Sequence, residues 1–153
     1  MGDEWTEVTV RGVVIDPMTG DPTILLEDSA ETAIIAVAAD PSVTGAIISE
    51  IEGFSRDASQ SLLYRFFVRH GVTVVSVDLS RDRGGELGAC VRYRYEGDDF
   101  GMEARPIDAL LVATQTGAPV FADSDLIDAG TMSAAPRVLE GSDLLILSRR
   151  HAR

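Results

Sequence analysis

The chain has 153 residues, 45% hydrophobic and 25% charged, which suits one domain of ordinary size with a real core and excludes a disordered chain. The formal charge is −12 and all 13 basic residues are arginine, so nonspecific attraction to nucleic acid is unfavourable overall. Any nucleic-acid role must therefore rest on a local arginine patch or on metal ions. The chain has no apolar run of about 18 residues, and no membrane span is expected. The acidic start Met1–Trp5 lacks an apolar signal segment, and the single Cys90 excludes an intrachain disulfide, so a cytoplasmic protein is expected.

Trp5 to Ile15 alternates and is rich in β-branched residues, which predicts a strand. Dense turn chemistry follows from Asp16 to Pro22. Thr23 to Glu27 and Thr32 to Ala38 read as two further strands, giving an antiparallel meander. Asp40-Pro41 reads as a helix N-cap and first-turn proline, with the helix running to about Glu52. Asp57 is a second N-cap, opening a helix that Gly71 stops after His70. Leu62, Leu63, Phe66 and Phe67 form its apolar set, with Arg65 and Arg69 on the wetter side.

Val72 to Ser80 reads as a strand, Arg81 to Glu86 as a hairpin loop and Leu87 to Glu96 as the returning strand. Gly97-Asp98-Asp99 is expected to turn the chain into a strand from Phe100 to Ala104. That strand feeds a helix with Pro106 at its first position, Asp108 in its first turn and Gly117 as its C-cap. Ile107, Leu110, Leu111 and Thr114 share one face of this helix. Val120 to Ala122 reads as a short strand, and a short helix capped by Ser124 or Asp125 ends at Gly130. Arg149, Arg150, His151 and Arg153 form a basic tail. The order of strands, helices, strands and helices predicts an α+β fold: one domain with a largely antiparallel or mixed sheet and helices packed on one side. Its expected extent is 1–135, followed by a C-terminal extension over 136–153.

Several chemistries have no motif here. There is no P-loop, dinucleotide-binding glycine pattern or HExxH, and one cysteine with two isolated histidines does not make a zinc site. His70 suits a helix C-terminus and Cys90 a small apolar strand position. Arg92 and Arg94 share a strand face, where they would either be solvated or contact phosphate. The densest chemistry on rigid elements is the strand-to-helix junction, where Glu103, Arg105 and Asp108 lie within six residues.

The segment Glu103-Ala104-Arg105-Pro106-Ile107-Asp108-Ala109, followed by Gly117-Ala118-Pro119-Val120-Phe121, resembles the hallmark of the bifunctional nuclease family. That hallmark is Asp-Ala-Arg-Pro-Ser-Asp-Ala leading into an apolar helix and then Gly-Ala-Pro-Ile. Asp128-Ala129-Gly130 and the opening hairpin, Val13 to Gly20 with Thr23 to Glu27, are also similar to the family. The resemblance covers about residues 7 to 130. The chain departs from the family at Ala36-Val37-Ala38, where a Trp-Ile-Gly strand is usual. It also carries Gln60 and Ser61 where the second helix usually has His and Asp, and Ile107 where the hallmark has Ser.

The resemblance implies a nuclease acting on DNA and RNA. Glu103, Arg105 and Asp108 would be its catalytic residues. Glu103 and Asp108 would hold Mg²⁺ or Mn²⁺, and Arg56 with Arg105 would hold phosphate. The partners it implies are DNA or RNA and further copies of the same chain, as a homodimer or higher oligomer. The residues themselves leave a second reading open. Arg105 and Asp108 would form a structural ion pair at a helix start, in a noncatalytic homo-oligomeric or regulatory protein that keeps the fold.

Overall fold

The computed structural model describes residues 4–30, 34–39, 44–45 and 62–128. The predicted helix from Asp40 apart from 44–45, the first part of the helix predicted from Asp57 (57–61), Arg56, Gly130 and the basic tail lie outside the described residues. The described elements are β1 (Trp5–Ile15), β2 (Pro22–Asp28), β3 (Ile34–Ala38), α1 (Leu62–His70), β4 (Thr73–Arg81), β5 (Leu87–Tyr95), β6 (Asp98–Ala104), α2 (Pro106–Thr116), β7 (Val120–Asp123) and α3 (Ser124–Asp128). Within these residues the strand and helix order follows the alternation and capping signals of the sequence.

The strands form one seven-stranded sheet in the order β3-β2-β1-β7-β4-β5-β6. Five of its pairings are antiparallel, and only β4 with β7 is parallel, so the sheet is mixed and the fold is α+β. The parallel pair arises because α2 carries the chain from the β6 edge back across the sheet, letting β7 insert between β1 and β4.

Strand alternation gives the sheet two unlike faces. On one, Ile24, Leu26, Ile35, Val77, Leu79 and Ala122 meet Ile107, Leu110 and Ala113 of α2 and Leu126 of α3 in a single core. On the other, Asp78, Cys90 and Glu103 follow one another across β4, β5 and β6. Cys90 is half-buried in this polar row, not in the apolar core.

Two details differ from the sequence expectation. The β5–β6 turn is Glu96-Gly97, with φ of 52° and 84°, and Asp98 and Asp99 already belong to β6. Two consecutive left-handed residues match the right-handed twist of a tight hairpin, and Gly97 supplies the second without steric cost. Helix α1 ends as predicted at Gly71 (φ 71°), yet none of its residues is buried. Its apolar set, expected to face the core, is left largely uncovered.

Candidate functional site

The junction between β6 and α2 is built from local rules. Pro106 favours extended backbone in the residue before it. Arg105 accordingly has φ −66° and ψ 143° and serves as the N-cap of α2, without a side-chain capping hydrogen bond. Its carbonyl accepts the N–H of Ala109 at 3.0 Å, closing the first helical turn. Asp108, in that turn, reaches back to the arginine. Arg105 Nε donates to Asp108 Oδ2 at 2.7 Å and Nη2 donates to Oδ1 at 3.1 Å. This fork fixes the plane of the guanidinium. The pair lies in the open, with 73% of the arginine side chain and 43% of the aspartate side chain exposed. It is therefore a satisfied pair, but not a buried structural one.

Glu103 sits two residues upstream on the polar face of the sheet, opposite Cys90. It is exposed and has no ion-pair or hydrogen-bond partner among the described residues. The structure gathers Glu103 and Arg105 into the wall of one open groove of about 930 Å³. Asp108 does not line this groove and is linked to it through Arg105.

The opposite wall is the β4–β5 loop, with Arg81 and Arg83. Asp82 Oδ1 accepts the N–H groups of Gly84 (2.8 Å) and Glu86 (3.0 Å), and Arg81 Nη1 donates to the Gly85 carbonyl at 3.0 Å. Gly85, at φ 81°, makes this tight path possible. The loop is thereby pre-formed, with Arg83 exposed and without an ion pair among the described residues. From sequence alone, 81–86 reads only as a hairpin connection. The missed signal was two arginines flanking an aspartate in a glycine loop, and only the pairing of Ala89 with Ala104 brings that loop to Arg105.

The other arginines of this sheet face are internally paired. Arg92 lies 3.5 Å from Asp78, and Arg94 donates to Asp99 at 2.8 Å. The Arg94 hydrogen bond holds the Asp99 carboxyl below its ordinary range. Arg56, the other expected phosphate ligand, lies outside the described residues.

Both oxygens of Asp108 are engaged by Arg105, which leaves Glu103 as the carboxylate without a described partner. Among the described residues, no group of three or more His, Cys, Asp or Glu is placed to hold a metal ion. The groove thus offers Arg81, Arg83 and Arg105 together with two carboxylates, Asp82, which is engaged by its own loop, and Glu103, which has no described partner. That set can bind an anionic ester and accept a proton from water.

No helix among the described residues is long and apolar enough to cross a membrane. No curated protein matches the chain. The family model of the bifunctional nuclease domain matches residues 24–135, from within β2 through α3, and includes both walls of the groove. That match covers well over half of the sequence, and the chain belongs to the bifunctional nuclease domain family.

Proposed function

We propose that the protein is a nuclease that hydrolyses phosphodiester bonds of DNA or RNA in the groove between the β4–β5 loop and the β6–α2 junction. One observation carries this reading. In a chain of charge −12, Arg83 and Arg105 face a common groove that also holds the exposed carboxylate of Glu103. Hydrolysis needs an anchored phosphate, an activated water and stabilisation of charge at phosphorus. Arg105, kept in plane by Asp108, and Arg83, on its pre-formed loop, hold the phosphate. Glu103 orients the attacking water and takes its proton. Asp108 is a positioning residue acting through Arg105.

Mg²⁺ or Mn²⁺, if bound, would be held by Glu103 together with a substrate phosphate and would supply Lewis-acid stabilisation of charge on the phosphoryl oxygens. Such ions are commonly held by one or two carboxylates together with substrate phosphates, which suits a site with a single uncommitted carboxylate.

The test is cleavage of labelled single- and double-stranded DNA and RNA by purified protein, with Mg²⁺, Mn²⁺ or EDTA, beside Arg105→Ala and Arg83→Ala proteins prepared identically. The expected result is cleavage by the wild type, with each variant reduced on the order of 100-fold. Equal cleavage by all three would mark a contaminant.

A noncatalytic reading is favoured by one observation, the complete bidentate satisfaction of Asp108 by Arg105. Tight, salt-sensitive binding of the same substrates without cleavage under any of these conditions would establish it.

A further inference from the structure

The polar face of β5 and β6 continues past the groove as a shallow trough. Side chains on one face of a strand recur about every 7 Å. The row of Cys90 and Glu103 is followed by Arg92 beside Gly101, and then by Arg94 beside Asp99. On the other side of Glu103 stands the groove wall with Arg105. The floor between these arginines is low. Cys90 is half-buried, and a Cβ on Gly101 would come within 3.1 Å of Cys90 Sγ, so a larger residue there would crowd the thiol. Arg92 and Arg94 rise from the floor with 60% and 56% of their side chains exposed. Neither is used up by its ion pair. Arg92 meets Asp78 only at 3.5 Å, too long for a strong hydrogen bond, and Arg94 commits only Nε to Asp99. A guanidinium has five N–H donors, so both side chains keep donors for a phosphate. Exposed pairs of this kind contribute little, and an incoming phosphate joins or displaces them at small cost.

We propose that this trough takes single-stranded nucleic acid in preference to duplex, with the scissile phosphate between Arg105 and Glu103 and the phosphates on one side of it over Arg92 and Arg94. The inference rests on the phosphodiester reading of the groove and adds the form and the course of the substrate. A row repeat of about 7 Å is of the order of the phosphate repeat in an extended single strand, so successive rows meet successive phosphates. Each strand of a duplex advances only about 3.4 Å along its axis per nucleotide and curves away from a straight row of side chains, so it reaches one end of the trough and not both. Among the described residues no aromatic side chain lines the groove, which places the contacts on the sugar–phosphate backbone and not on the bases. Asp99 then limits affinity, because it holds Arg94 and repels the phosphate that Arg94 would take.

The test is fluorescence anisotropy of end-labelled oligonucleotides in EDTA, which reads binding without cleavage, on the full-length protein. Wild-type affinity should rise at least tenfold from a dinucleotide to a single strand of about eight nucleotides, and a duplex of that length should bind more weakly than the single strand. Arg92→Ala and Arg94→Ala should each shrink the gain with length severalfold and lower the slope of log affinity against log salt by about 0.7. Asp99→Asn, which releases Arg94, should tighten binding to the longer strand severalfold, an increase that loss of folding does not produce. A gain with length that survives in both arginine variants overturns the proposal, as does a duplex bound as tightly as the single strand. Cleavage that persists beside either of those results leaves the nuclease reading standing alone. Loss of the gain in the arginine variants of a protein that never cleaves keeps the trough and removes the chemistry.

Discussion

A guanidinium has five N–H donors, and Asp108 takes two of those of Arg105. The aspartate also lies in the first turn of α2, where the helix dipole favours negative charge. Both contributions act in solvent, so their stabilising effect is small. Asp108→Asn should cost under about 1 kcal/mol in chemical denaturation, while reducing cleavage on the order of tenfold through loss of the fork that orients Arg105. A large loss of stability with unchanged cleavage would make the pair structural. Asp99 offers an independent reading of the electrostatics. Its carboxyl is lowered from an ordinary 3.8, first by the hydrogen bond from Arg94. A carboxyl with a folded value below its unfolded one stabilises the fold above the unfolded value, and that contribution fades as pH falls through the folded value. Asp99 therefore supports the β5–β6 hairpin at neutral pH, and that support fades progressively as pH falls below about 4. Carbon-13 titration of the wild type should give a midpoint below 3.8 that rises in Arg94→Ala. An unmoved midpoint would contradict the pairing.

At the scale of elements, local chemistry made most boundaries legible. Alternation marked β1 and β4, Pro106 the start of α2, and Gly117 its end. Gly117 adopts φ 75°, its N–H bonds to the Ala113 carbonyl at 2.9 Å, and an added Cβ would meet nothing within 4 Å. Gly117→Ala should therefore cost only the left-handed backbone strain, about 1 kcal/mol in the unfolding free energy. A loss several times larger would mean that the helix end is packed more closely than the structure shows. The β5–β6 turn lies earlier than the sequence suggests, because Asp98-Asp99 have turn-like side chains whereas the left-handed position falls to Glu96, which nothing local marks. Helix α1 was legible as amphipathic, but periodicity reports only that a helix has an apolar face. It is silent on whether that face meets this chain's core or another molecule.

At the scale of the molecule, the sequence made the α+β class legible, and the hallmark around Arg105 led to the family to which the residue 24–135 match assigns the chain. Half of the candidate site was legible with it, because Glu103, Arg105 and Asp108 are neighbours in sequence. The other half was not. Arg83 reaches the groove only because β5 pairs with both β4 and β6, and such a neighbourhood is set by the strand order of the whole sheet. The same order places β6 at the sheet edge, with Glu103 on its polar face and Phe100 and Met102 on its apolar face. One strand thus serves a groove on one side and carries exposed Phe100 and Met102 on the other. The central claim rests on Glu103 as the proton acceptor, and Glu103→Gln tests it most directly. The substitution keeps size and leaves an exposed side chain in place, so stability should change by no more than about 0.5 kcal/mol. The measurement is the single-turnover cleavage rate of a labelled oligonucleotide by wild type and Glu103→Gln purified side by side. A fall of about 100-fold or more with substrate affinity retained is the expected result, and equal rates in the two proteins would contradict it.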